Sequence, residues 1–207
     1  MKYTLRWISI LLVGAMLLTA CGGKATHKNG NARFQGGSAV DSHRALNVSP
    51  MVKQDFAQAL ELMRQKDFIR AESLLKKLVQ TNPELAGPYI NLGIIRLNEG
   101  NYEESEKYFK EAIAHKSFNP QAYNYLGVIY RQSGRFEEAE QAYKMAIQQD
   151  ANFASAYLNI GVLYDLYLRN YAAALNNYKQ YLIFNPDDKR VKNWITDIHQ
   201  RMQATNL

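Results

Sequence analysis

One cysteine stands in 207 residues, and that scarcity excludes a disulfide framework, a four-cysteine zinc site and a Cys-x-x-Cys redox pair. Cys21 is left with three fates: a bridge to another chain, a free thiol or a modified thiol. The sequence also lacks GxxxxGK[ST], GxGxxG and GxSxG, so it offers no phosphate cradle, dinucleotide turn or nucleophile elbow. Histidine is scarce, with His27, His43, His115 and His199; no two stand at i, i+4 and no HExxH occurs, so neither a metal site nor a cofactor is expected. Long apolar runs are almost absent. The exception, Trp7–Ala20, has 14 residues and falls short of the ~20 that cross a bilayer as a helix. The net charge of +6 points to nucleic acid only until it is located: residues 1–21 hold two of those charges and residues 22–50 three, leaving +1 for everything from Met51 onward. No nucleic-acid partner is expected. What is abundant is core material, 47 % hydrophobic residues and 14 Tyr, which excludes bulk disorder.

Residues 1–20 have the charge, length and small-residue ending of a secretory signal peptide: Lys2 and Arg6, then the apolar run, then Thr19-Ala20. The ending Leu18-Thr19-Ala20-Cys21 resembles the lipobox of bacterial lipoproteins. The resemblance implies that the Cys21 sulfur takes a diacylglyceryl group, that the leader is removed and that the new amine is acylated, a palmitate-type anchor. It further implies, because Gly22 rather than Asp follows, the periplasmic face of a Gram-negative outer membrane. Each buried methylene contributes about 0.8 kcal/mol, so a triacylated cysteine is a stable anchor. Residues 21–50 then read as the lipidated cysteine and a tether, with five Gly between 22 and 50 and no periodicity.

From Met51 to Pro186 the chain repeats. Gly93, Gly127 and Gly161 are 34 apart, as are Phe68, Tyr102 and Phe136; Ala71, Ser105 and Ala139; and Leu75, Phe109 and Tyr143. In the fourth unit the later landmarks Tyr171, Ala174 and Tyr178 arrive one residue late, which is read as an extra residue in the turn Leu168-Arg169-Asn170. These landmarks resemble the tetratricopeptide repeat, best in the third unit: Tyr123, Leu126-Gly127, Tyr130, Gly134, Phe136, Ala139, Tyr143 and Ala146. The second unit has Arg96 where Tyr is usual, and the first has Gln58-Ala59 in place of Leu-Gly. The resemblance implies an all-α, right-handed superhelical solenoid of about four helix pairs. Residues 187–207 complete it as a capping helix and tail, with Asp187-Asp188 before Val191, Trp194, Ile195, Ile198 and Met202 at helical spacing.

Nothing in this pattern carries catalytic chemistry. The acidic pairs Glu103-Glu104 and Glu137-Glu138 open second helices, where the helix dipole favours negative charge. The resemblance instead implies a binding groove lined by first helices. Placed on this sequence it comprises Phe56, Leu60 and Met63; Ile90, Asn91, Ile94 and Leu97; Asn124, Val128 and Arg131; and Leu158, Asn159, Val162 and Asp165. The Lys and Asn arrangement of chaperone-binding clamps is not reproduced. The expected partner is a protein, met as a helix or extended peptide with apolar anchors, and a second copy of the chain is a further candidate. Glu at Ile94 or Val128 is expected to abolish capture without unfolding. The function expected is a non-enzymatic, lipid-anchored adaptor in a periplasmic or outer-membrane complex, pilus or secretin assembly among the settings. The alternatives are a peptidoglycan- or glycan-binding module and an accessory subunit that recruits cell-wall enzymes.

Overall fold

The computed structural model of the protein describes residues 48–115 and 118–205; the leader, Cys21 and nearly all of the tether lie outside the described residues. Among the described residues there are nine α-helices and no strand. They run as pairs: α1 (Pro50–Arg64) with α2 (Phe68–Thr81), α3 (Ala86–Asn98) with α4 (Tyr102–Ala114), α5 (Pro120–Gln132) with α6 (Phe136–Gln149), and α7 (Ala154–Val162) with α8 (Tyr171–Phe184). A last helix, α9 (Lys189–Thr205), follows alone. The fold is a solenoid of four helix pairs with a capping helix. No helix of the described residues is long and apolar enough to cross a membrane.

Each pair closes where one helix has no side chain and the other has a large one. A methyl group built on Gly93 would stand 2.9 Å from the Phe109 ring, and one on Gly161 would stand 2.6 Å from the Tyr178 ring. Gly127 meets Tyr143 in the same way. Backbone and ring are therefore in direct contact, and Phe109, Tyr143 and Tyr178 are almost wholly buried. The first pair reaches the same density by a paired exchange. Ala59 replaces the glycine and Leu75 the ring, and both are fully buried. The methyl gained on one helix is offset by the smaller side chain on the other.

Within every pair the first helix ends in the same way. The second residue beyond its end is Lys66, Gly100, Gly134 or Arg169, each at positive φ (63°, 77°, 75° and 51°). This left-handed residue lets the next amide reach back over the last turn: Asn101 N–H donates to the Arg96 carbonyl at 2.9 Å and Gly100 N–H to that of Leu97 at 3.1 Å. Asp67, Asn101 and Asn170 then cap the second helices by accepting an amide hydrogen bond on the side-chain oxygen.

The fourth pair corrects one expectation. Its turn, Leu168-Arg169-Asn170, has the same length and conformation as Glu99-Gly100-Asn101, so it does not hold the extra residue. The insertion is absorbed earlier, where α7 widens into a π-helical turn over Leu163–Tyr167. There Leu168 N–H reaches the carbonyl five residues back, on Leu163, at 3.1 Å.

The cap begins at Asp188, whose side chain accepts the Arg190 and Val191 amides at 3.0 and 3.3 Å. Val191 and Ile198 face α8 and are fully buried, and Trp194, one turn along, lies 5.6 Å from the Tyr178 ring between centroids.

Candidate protein-binding face

The fifth residue of the second helix ties each of the first three pairs to the next. Glu72, Glu106 and Glu140 stand 34 apart on α2, α4 and α6. Each carboxylate is held on its own helix by a lysine four residues on, Lys76, Lys110 or Lys144. Each is also reached from the first helix of the next pair: by Arg96, by the Tyr130 hydroxyl at 3.2 Å and by the Tyr164 hydroxyl at 2.8 Å. Arg96, the departure noted in the second unit, thus does the work of a tyrosine with a stronger donor, and it also pairs with Glu99 and Glu104. Hydrogen bonds from Lys144 and Tyr164 hold the Glu140 carboxyl below the usual carboxylate range despite partial burial. The 34-residue spacing of these glutamates and lysines is plain in the sequence, and a search for landmarks on apolar residues alone passes over it.

Because those struts fix the pairs, the first helices lie side by side, α3 against α5 and α5 against α7. They form the face on which binding residues were expected. The structure divides those residues. Phe56, Leu60, Leu97, Arg131, Leu158, Asn159 and Val162 are partly exposed. Met63, Ile90, Ile94 and Val128 are core residues, at 3, 1, 5 and 5 % exposure, so glutamate at Ile94 or Val128 would place a charge in the core and unfold the stack. All four belong to the continuous core, against which the partly buried Phe56 and Tyr125 pack, the Phe56 ring over Gly87 and the Tyr125 ring on Phe109 at 5.1 Å.

The polar members are similarly sorted. Asn91 is buried and donates to the Gly87 carbonyl at 2.8 Å, which makes it a structural residue. Asn124 and Asn159 meet across α5 and α7, Nδ2 of Asn159 donating to Oδ1 of Asn124 at 2.9 Å. Asp165 is corrected outright. It sits in the π-helical turn, buried, with one carboxylate oxygen accepting from Arg201 of α9 at 2.8 Å and the other from the Tyr178 hydroxyl at 3.3 Å. Burial first, then the neighbouring Asp165 carboxylate, drives the Tyr178 hydroxyl far above its ordinary pKa. Asp165 joins cap to stack and has no surface for a partner.

Arg131 is the opposite case. Its guanidinium is half-buried beside two phenols, donating to Tyr143 Oη at 3.4 Å and to Tyr167 Oη at 3.5 Å, and it lies 5.6 Å from the centroid of the Tyr167 ring. Burial pushes the Tyr143 hydroxyl up to about 12. No cluster of His, Cys, Asp and Glu suited to a metal exists among the described residues.

Residues 90–155 match the tetratricopeptide repeat family model. The solved structures similar to this one include pilF of Pseudomonas aeruginosa, at a TM-score of 0.68 and 20 % identity over 74 % of this chain and 69 % of that one. MamA is similar at 0.62 and 20 % over 70 % and 84 %. The first repeat domain of Spaghetti (RPAP3), bound to an HSP90 peptide, is similar at 0.54 and 19 % over 57 % and 95 %. At such identities the shared property is the fold.

Proposed function

We propose that this tetratricopeptide-type stack is a non-catalytic adaptor that binds a protein partner along the face of its first helices. In this reading lipid on Cys21 holds it at the periplasmic side of an outer membrane. The observation that carries the reading is the sorting just described: Asn91 and the Asn124–Asn159 pair are hydrogen-bonded within the packed helices, and partly exposed apolar residues stand on the first helices of three pairs, Phe56 and Leu60 on α1, Leu97 on α3, and Leu158 and Val162 on α7. Side chains of that kind, fixed on rigid helices, suit an extended or helical peptide. The peptide seated on the RPAP3 repeat domain supports the class of ligand. Membrane attachment is supported by Leu18-Thr19-Ala20-Cys21 and by the absence of any other cysteine. The setting we favour is assembly of a periplasmic or outer-membrane complex, with pilus or secretin machinery as one such complex.

Two measurements test this. Cys21→Ser should move the protein from the membrane to the soluble periplasmic fraction, and unchanged membrane fractionation would defeat the anchor. Leu97→Glu with Leu158→Glu, both at partly exposed positions, should abolish cross-linking to the partner in intact cells while circular dichroism stays unchanged. An unaltered cross-link would defeat the face.

A further inference from the structure

Every described arginine except Arg131 and the exposed Arg169 reaches a carboxylate: Arg64, Arg70, Arg96, Arg135, Arg190 and Arg201 all do. Arg169 stands at a turn in open solvent. Arg131 is different, because its guanidinium is half-buried on the binding face and its bonds, at 3.4 and 3.5 Å, are long and go to neutral oxygens. A cation so placed has lost hydration without gaining a counter-charge. The carboxylate that a regular repeat would set beside it is Asp165, 34 residues on. That group is unavailable, since the π-helical turn leaves it with Arg201 and Tyr178. Next to the guanidinium the surface turns apolar. Tyr167, which touches Arg131 and lies 5.1 Å from Phe136, is 42 % exposed, and its chain neighbours Leu166 and Leu168 are 42 and 38 % exposed. In the first three pairs the residues at the places of Tyr167 and Leu168 are polar: Arg64-Gln65, Asn98-Glu99 and Gln132-Ser133.

We infer that Arg131 is the anion hook of the binding face, taking the side-chain carboxylate of an acidic residue in the partner peptide while an adjacent apolar residue of that peptide covers Tyr167. This rests on the adaptor reading and names the chemistry of its ligand. The guanidinium supplies two parallel donors, a match for a carboxylate, and the Tyr167 ring behind it keeps the fork oriented. Charge complementarity selects the occupant. An acidic segment gains an ion pair in a partly dry site, whereas a basic or neutral segment leaves the arginine as unsatisfied as it is now.

The test uses the full chain, immobilised, and a phage-displayed library of random dodecapeptides. Enriched peptides are synthesised with amidated C-termini and measured by fluorescence anisotropy against the native protein, Arg131→Gln, Arg131→Lys and the Leu97→Glu, Leu158→Glu variant. The expected peptides carry Asp or Glu beside an apolar residue. They should bind Arg131→Gln roughly tenfold more weakly, the scale of a lost charge-assisted hydrogen bond. The same loss should follow when the peptide acid becomes Gln or Asn, with little further loss when both changes are combined. Binding should fall with salt. Because Arg131 makes only two long contacts, Arg131→Gln should fold normally by circular dichroism. Peptides that lose binding on the leucine variant but not on Arg131→Gln would overturn the hook and leave the adaptor face standing. Peptides indifferent to both variants, or no enrichment at all, would overturn both.

Discussion

The third and fourth helix pairs close on the same contact, glycine against tyrosine, yet the two residues stand 16 apart in the third pair and 17 in the fourth. In the third pair α5 runs regular to Gln132 and turns at Gly134. In the fourth, the additional residue is taken into the helix as a π-helical turn, and the turn itself is unchanged in form. The turn geometry is thus the better-defended element. It satisfies the orphan carbonyls of one helix and the amides of the next at once, whereas a helix accepts a widened ring at small cost. The same difference redistributes charge: Arg131 stays on the surface without a carboxylate, and Asp165 is drawn inward to Arg201.

The sharpest way to break this comparison is to delete one residue from each pair. Removing Leu166 should restore the 34-residue spacing and leave a cooperative thermal transition within a few degrees of the native one. Removing Ser133 should rotate α6 relative to α5, pull Tyr143 away from Gly127 and lower Tm by more than ~10 °C. Equal losses in calorimetry would show that the turn is not the defended element. Next in size is Gly127→Ala or Gly161→Ala. Each adds a methyl that its tyrosine ring must vacate, so a loss of about 2 kcal/mol is expected in urea unfolding. Ala59→Gly in the first pair, which frees the backbone and vacates a fully buried methyl, should cost about 1 kcal/mol. Comparable to the glycine changes is Arg201→Ala, which strips the buried Asp165 of its cation. We expect about 2 kcal/mol, discounted from the cost of breaking a fully buried pair because Arg201 is 34 % exposed in its side chain. Adding Asp165→Asn should recover part of it.

The least effect is the pH dependence, and its sign differs at the two ends of the scale. The Glu140 carboxyl titrates lower folded than unfolded, so its contribution is complete above the unfolded value of about 4.3 and is lost as pH falls through the folded one. Tm should fall in acid, less so in Glu140→Gln. Tyr143 is raised to about 12, so its contribution is complete below about 10 and disappears as pH climbs towards that higher value. Tyr143→Phe should blunt the alkaline loss, and Tyr178→Phe should do the same in the fourth pair.

Most of the fold was legible because each landmark residue is one half of a contact that recurs at every pair. Gly127 and Tyr143 announce an apposition before any coordinates exist, and Val191, Trp194 and Ile198 announce a helix with one buried stripe. The insertion was legible as a spacing of 35 but not as a place, since a wide turn and a π-helical turn displace later residues equally. The binding face was less legible for a different reason. Whether Ile94 or Val128 is open depends on the packing of neighbouring helices around them, which a per-repeat alignment does not bring together. Asp165 looked like a surface acid because its partner, Arg201, lies 36 residues away on a helix outside the repeats.

The glutamate struts bear on how such a chain is built and rebuilt. Since Glu72, Glu106 and Glu140 present the same group to whatever follows, and Arg96, Tyr130 and Tyr164 the same kind of donor to whatever precedes, the pairs are interchangeable cassettes. Excising residues 86–119 would bring the Tyr130 hydroxyl to Glu72 with no unmatched joint, and duplicating them would extend the ladder by one rung. Only the fourth pair cannot be copied in this way, because Leu175 stands where the glutamate would be and a further pair would find no carboxylate to grasp.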